Sequence, residues 1–250
     1  MKTHLFRVDC LTDMHVGNGE ANYSIIDNEV QKDSVFKETP IIPASGVKGA
    51  LKEHFERLWG VSDEKIKNIF GDKDNAGEYK FFSALCVARP LRISEGNAPY
   101  ILCADEEVLE SFSQFLNGLG WSGKLDYKKT NGKEKFRSNL SEIEIEGEKV
   151  QTEPASNALK KLIEDEYAVA KSLSEYNLPI RARNKLDESG KSENIWYEEY
   201  VPHKSVFYFA IITPEDTCAL TFAPNQPVQF GANASVGNGY TTISEVFSFE

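Results

Sequence analysis

The run Ile42-Pro43-Ala44-Ser45-Gly46-Val47-Lys48-Gly49-Ala50-Leu51 constrains this chain most. Val47, Ala50, Leu51, His54, Phe55 and Leu58 recur at helical spacing, so a helix over 45–58 lays an apolar face on a core, with Ser45 as its N-cap. Its opening suits more than packing. Lys48 puts a positive charge in the first turn, where the macrodipole disfavours a cation. Gly49 inside the helix costs about 1 kcal/mol relative to Ala. Free N–H groups beside a cation and two glycines admit an anion closely, and phosphate is the first candidate. Upstream lie a glycine-rich loop, His15-Val16-Gly17-Asn18-Gly19-Glu20, and a loop carboxylate, Asp27, after Ile25-Ile26.

A chain of 250 residues can bury a sizeable core, as one large domain or two small ones. No apolar run approaches the roughly 20 residues that span a bilayer. The start, Met1 to Val8, alternates like a strand and lacks a signal-peptide core. Cys10, Cys86, Cys103 and Cys218 show no metal-type spacing and read as small core residues in a reducing compartment, so a cytoplasmic protein is expected. The net charge of −11 argues against a nucleic-acid partner as a whole-chain sum. A single basic groove can still coexist with an acidic back, and Arg181, Arg183, Lys185 and Lys191 form a basic stretch. Charge alone leaves the partner open.

Along the chain, residues 2–11 read as a strand and 62–70 as a short helix, with strands near 79–93 and 99–103. A helix is expected from Asp105 to about Leu116, and another over 155–176, ended by Pro179. The stretch 120–153 is polar, with a hairpin signal at Thr130-Asn131-Gly132-Lys133. Residues 180–197 read as a protruding hairpin, and 205–213 and 217–222 as strands. A strand, glycine loop and strand close the chain from Val228 to Phe247. Strands and helices mix without a βα repeat, which defines an α+β class.

These residues resemble a known family. His15-Val16-Gly17-Asn18-Gly19, Ile26 to Asp33, Ile41 to Leu51, Phe70-Gly71, Trp196-Tyr197-Glu198-Glu199-Tyr200-Val201-Pro202 and the glycine loop from Gln229 to Gly239 are similar to the RAMP superfamily of CRISPR proteins. Within it they look like the backbone subunit of type III effector complexes, closer to the III-B (Cmr) form than to III-A (Csm). The resemblance implies a modified RRM, or ferredoxin-like, palm forming a single domain over 1–250. Insertions are expected at about 12–44, 120–153 and 180–197, the last a thumb hairpin. It also implies copies stacked in a helical filament on a CRISPR guide RNA, beside other Cmr-complex subunits, with cleavage of target single-stranded RNA near each thumb. Two departures stand out: Phe82-Ser83-Ala84 where relatives often carry an aspartate, and Gly231-Ala232 in place of a Gly-Gly pair.

The resemblance places the cleavage aspartate on Asp27, where a carboxylate can hold a divalent ion (Mg²⁺ or Mn²⁺) or take the proton of an attacking 2′-hydroxyl. On spacing alone Asp27 is equally an Asx turn. His15 is a proton donor to the leaving oxygen, an RNA contact, or a residue packed against its loop. Glu198 and Tyr200 alternate onto one strand face. There they assist a metal or orient a phosphate, as the resemblance implies, or simply pair and pack. Ser45, Gly46, Lys48 and Gly49 are assigned to guide phosphates, with an ordinary surface lysine as the alternative. Gly231, Gly237 and Gly239 form a backbone-amide nest or only a tight turn. Arg181, Arg183 and Lys185 track the RNA backbone or coat a solvated hairpin. Tyr23, Phe36, Trp59 and Trp121 read as core or interface aromatics.

The expected function is a guide-binding backbone subunit that cleaves target RNA by metal-assisted 2′-hydroxyl attack, the guide supplying sequence specificity. The rivals are a non-catalytic guide-binding subunit, a III-A equivalent, a CRISPR-RNA processing ribonuclease and a phosphate-binding metabolic enzyme. The last lacks a nucleotide fingerprint.

Overall fold

The computed structural model describes the chain apart from residues 20–25, 37, 61–62, 128, 131–133 and 153–156, and the side chain of residue 157. Strand β1 (Lys2–Cys10) runs through the middle of the main sheet, and its pleat sends alternate side chains to opposite faces. Phe6, Val8 and Cys10 enter one core and Leu5 another. A short β2 (Ile41–Ile42) leads into α1 (Ala44–Trp59) and α2 (Glu64–Phe70), which close the first face through Val47, Leu51, Phe55, Ile66 and Phe70. After β3 (Lys80–Phe81) come β4 (Ala84–Glu95), β5 (Tyr100–Asp105) and α3 (Glu106–Gly118). Helix α3 covers the second face with Leu109, Phe112 and Leu116, and Asp105 caps it by accepting from the Glu107 and Val108 amides at 2.9 and 3.3 Å.

Short strands β6 (Phe136–Ser138), β7 (Glu144–Ile145), β8 (Glu148–Lys149) and β9 (Gln151–Thr152), helix α4 (Asn157–Leu162) and β10 (Tyr167–Ala170) follow; β10, β6 and β9 build outward from β5, whereas β7 pairs with β4 and carries β8. They cover a third apolar cluster that includes Phe136, Ile145 and Leu173. Strands β11 (Ile180–Leu186) and β12 (Ser192–Glu199) form a separate two-stranded, largely exposed hairpin. Strands β13 (Val206–Thr213), β14 (Val228–Gln229) and β15 (Tyr240–Phe249) complete the main sheet. Its order is β14-β15-β1-β13-β4-β5-β10-β6-β9, with β1 antiparallel to both neighbours and β5–β10 and β6–β9 parallel. The α+β class expected from the sequence is the one observed.

Several expectations change. The helix over 155–176 stops at Leu162, and Tyr167–Ala170 is a strand buried on both faces between β5 and β6. A short, continuously apolar run does not separate helix from strand by periodicity. Residues 217–222 form no strand: the Ala219 amide donates to the Tyr79 hydroxyl at 3.1 Å, and Phe222 packs edge-on against Phe6 at 5.5 Å. Helix α2 begins at Glu64, capped by Asp63, and the expected start at Ser62 lies outside the described residues, as do Tyr23 and most of the Thr130–Lys133 hairpin signal. Leu58 turns outward from α1. Trp59 and Trp121 pack on Phe55 and Phe247, with ring centres 4.6 and 5.6 Å apart. Cys10, Cys86 and Cys103 are buried free thiols. Among the described residues no helix is long and apolar enough to cross a membrane.

Candidate nucleic-acid interface and cleavage site

Beyond Cys10 the chain leaves the sheet and threads between two strips of backbone. Met14 bridges Val201 on one side, and Gly17 bridges Val30 on the other. The segment carrying Asp27 lies along the base of the β11–β12 hairpin: Asn28 bridges Glu198, and the Glu199 amide donates to the Asn28 carbonyl at 2.9 Å. The loop after β14 closes from behind, where the Ala232 amide donates to the His15 carbonyl at 2.8 Å. Gly231 is required there. Its φ is +76°, and a Cβ would run into the His15 carbonyl oxygen.

Asp27 is exposed and oriented. The Tyr197 amide donates to Oδ2 at 2.7 Å, and the Tyr197 carbonyl accepts from the Asp27 and Asn28 amides at 3.0 and 3.2 Å. One carboxylate oxygen is thus fixed by backbone while the residue remains open to solvent.

Glu198 has a different situation. It is 6% exposed, and Oε1 accepts from Trp196 Nε1 at 2.8 Å and Asn28 Nδ2 at 3.3 Å. Oε2 accepts from the Tyr200 hydroxyl, from Asn233 Nδ2 at 3.0 Å and from Arg183 Nη1 at 3.5 Å. Burial works to raise its pKa, but the bonds from Tyr200 and Trp196 and the charges of Arg183 and His15 outweigh it, holding the carboxyl below its ordinary range. Tyr200 is pushed up by burial and by its carboxylate neighbour. These two residues do share a face, but their polar atoms are spent on each other, on Trp196 and Arg183 of the hairpin, and on the loops of Asn28 and Asn233. His15 is equally enclosed: its Nδ1 lies 2.7 Å from the Glu199 carbonyl, its ring is tilted 5.6 Å from that of Tyr200, and Gly17 leaves room for Nε2.

The helix start differs in detail from the expectation. Pro43, not Ser45, occupies the N-cap, and Ser83 Oγ accepts from the Ala44 amide at 3.0 Å across 39 residues of chain. Proline has no side-chain oxygen to offer, so the cap comes from Ser83 in the connection between β3 and β4. Lys48 therefore stands one turn in rather than in the first turn. The Ser45 and Gly46 amides point out of the helix start without partners among the described residues, and Lys48 forms no ion pair there. Gly49 leaves open space where a side chain would project. Helix α1 packs on β14, the strand that runs into Gly231. Gly237 and Gly239 turn the chain back, with φ of 84° and 79°.

The basic hairpin residues are already partnered. Arg181 binds Asp13 and covers the Tyr200 ring at 5.1 Å; Arg183 binds Glu198 and Tyr200; Lys185 pairs with Glu193 at 2.7 Å. Among the described residues no group of three His, Cys, Asp or Glu side chains is arranged to hold a metal ion. Asp27, exposed and with one oxygen held by the Tyr197 amide, belongs to no such group. Sequence reasoning passed over Ser83, Asn28, Asn233 and Asp13. Asn28 and Asn233 were accessible as the polar neighbours of Asp27 and of the glycine loop, whereas Ser83 and Asp13 carry no local signal.

The fold and this junction of glycine loop, carboxylate loop and hairpin place the chain in a class: the RAMP superfamily family model matches residues 7–242, and the chain belongs to that family. Its relatives include the CRISPR system Cmr endoribonuclease Cmr4 of Pyrococcus furiosus, 26% identical over 98% of this chain and 96% of the relative. Similar folds occur in a type III-B Cmr-beta complex bound to cognate target RNA, with TM-score 0.80 at 21% identity, covering 98% of this chain and 97% of that one. Oligomeric Cmr4 from Pyrococcus furiosus superposes with TM-score 0.69 at 18% identity, covering 99% of each chain.

Proposed function

We propose that this chain is the backbone subunit of a type III-B, Cmr-type RNA-guided complex and that it cleaves target single-stranded RNA. The observation that carries the reading is Asp27: an exposed carboxylate, oriented by the hairpin backbone, at the base of the hairpin that would wedge a guide–target duplex. The full-length match to a Cmr endoribonuclease and to a Cmr complex holding target RNA supports it. Copies of the chain would stack along the guide beside other Cmr subunits, as the oligomeric relative suggests.

Asp27 takes the proton of the ribose 2′-hydroxyl beside the scissile phosphate. The 2′-oxygen attacks phosphorus, the bond to the 5′-oxygen breaks, and that oxygen leaves with a proton from water, giving a 2′,3′-cyclic phosphate and a 5′-hydroxyl. Asp27 is the residue that would hold a Mg²⁺ or Mn²⁺ ion, which would supply neutralisation of the charge developing on the phosphate. Lys48 and the free Ser45 and Gly46 amides hold guide phosphates, with the loop from Gly231 to Gly239 beside them. Glu198 and Tyr200 act by fixing the loops, and His15 does the same from its buried position.

The test is cleavage by the guide-loaded complex, offered matched target, unmatched RNA and repeat precursor, with Mg²⁺ or EDTA. Regularly spaced cuts in matched target alone, abolished by chelation, are expected. Precursor cleavage without guide would favour the processing enzyme, and binding without cutting would leave a scaffold subunit.

A further inference from the structure

Four positions in the loop between β14 and β15 have positive φ: Gly231, Asn233, Gly237 and Gly239. Three are glycine, which reaches this region without strain. The fourth keeps a side chain although its φ of 65° and ψ of 28° would suit glycine at least as well. What the position retains is an amide. Asn233 Nδ2 donates to Glu198 Oε2 at 3.0 Å and reaches the Tyr200 hydroxyl at 3.5 Å. The other oxygen of the same buried carboxylate accepts from Asn28, the residue next to Asp27.

We propose that Asn233 is a positioning residue for cleavage, tying the guide-facing glycine loop through Glu198 and Asn28 to the loop that carries Asp27. The proposal rests on the reading of Asp27 as the cleaving group. An amide suits the task because it donates to Glu198 without adding charge. The ionisable groups facing this amide are Glu198 and Tyr200 from the hairpin end, Arg181 and Arg183 from β11, and His15 from the segment after β1. A second carboxylate in its place would meet Glu198 as a like charge and be tolerated only when the pair shares a proton.

Two substitutions separate this role from simple loop packing. Asn233→Gly deletes the amide and keeps the left-handed backbone. In the full-length protein without RNA, amide hydrogen exchange over residues 26–30 should then rise about tenfold, the loss of one hydrogen bond to a charged group. Faster exchange confined to 231–239 would overturn the proposal. Asn233→Asp, in the guide-loaded complex, should bind guide and target normally and cut about tenfold or more slowly than the native complex at pH 8. The ratio of the two rates should approach unity towards pH 5. A ratio independent of pH would also overturn the proposal. If native and Asp27→Asn complexes cut alike, the reading of Asp27 fails instead, and the exchange result still reports whether the two loops are tied.

Discussion

The Tyr197 peptide grips Asp27 from both sides: its amide donates to the Asp27 carboxylate at 2.7 Å, and its carbonyl accepts from the Asp27 amide at 3.0 Å. Tyr197 belongs to β12, so the carboxylate moves with the hairpin base. Anything that loosens β12 from the segment around Asn28 therefore disturbs Asp27 without touching it.

Glu198 is the first place to look for such loosening. Glu198→Ala removes an acceptor shared by Trp196, Asn28, Tyr200, Asn233 and Arg183 and leaves their donors without it, which should cost about 3 kcal/mol in urea unfolding. Glu198→Gln keeps the shape and part of the acceptor set and should cost less than half of that. Equal, small losses for both would mean that the carboxylate holds nothing together.

The same carboxylate sets an acid limit. Its pKa is depressed in the fold relative to about 4.5 in the unfolded chain, so its stabilisation is fully present above that value and is lost as pH falls through the lower folded value. Native protein should lose denaturant resistance below about pH 4.5 more steeply than Glu198→Gln. Parallel curves would contradict this assignment.

Much of this was legible from local pattern. Helical spacing predicted α1, alternation predicted β1, the stretch 205–213 read as a strand where β13 lies, and the turn Asp187 to Lys191 marked the β11–β12 hairpin. What stayed hidden depends on partners far along the chain. Arg181 reads as a free cation until Asp13 arrives from 168 residues away, and Glu198 reads as available until the loops of Asn28 and Asn233 converge on it. The α1 cap differs from the expectation because serine at position 45 has the right chemistry, while the oxygen that caps the helix belongs to Ser83 on another segment. Tyr167–Ala170 is a strand because β5 and β6 flank it, and no periodicity within four residues could say so.

Lys48 should matter for guide binding and hardly at all for folding. Having no ion-pair partner among the described residues, it should change unfolding free energy by no more than about 0.5 kcal/mol on replacement by Ala. Guide affinity of the assembled complex should fall, and the slope of log affinity against log salt should become shallower by about 0.7 for each phosphate that Lys48 neutralises. An unchanged slope would remove Lys48 from the RNA.

The two glycine turns should respond unequally to alanine. At Gly231 the added carbon meets the His15 carbonyl oxygen on top of an unfavourable φ, so about 2 kcal/mol or more should be lost. At Gly237 the space is open and only left-handed strain applies, about 1 kcal/mol. Comparable thermal shifts for the two variants would show that the loop does not press on His15 in this way.

The central claim, that Asp27 is the group that takes the 2′-hydroxyl proton, is tested most directly by single-turnover cleavage in a complex carrying Asp27→Asn in every copy. The side chain keeps its size and its oxygen for the Tyr197 amide, so guide and target should bind as before. Cleavage should fall by a factor of about 10² to 10⁴, the usual contribution of a general base. Cleavage within about twofold of native, with binding intact, would place the chemistry on another group and leave Asp27 as a residue that only fastens its loop to the hairpin.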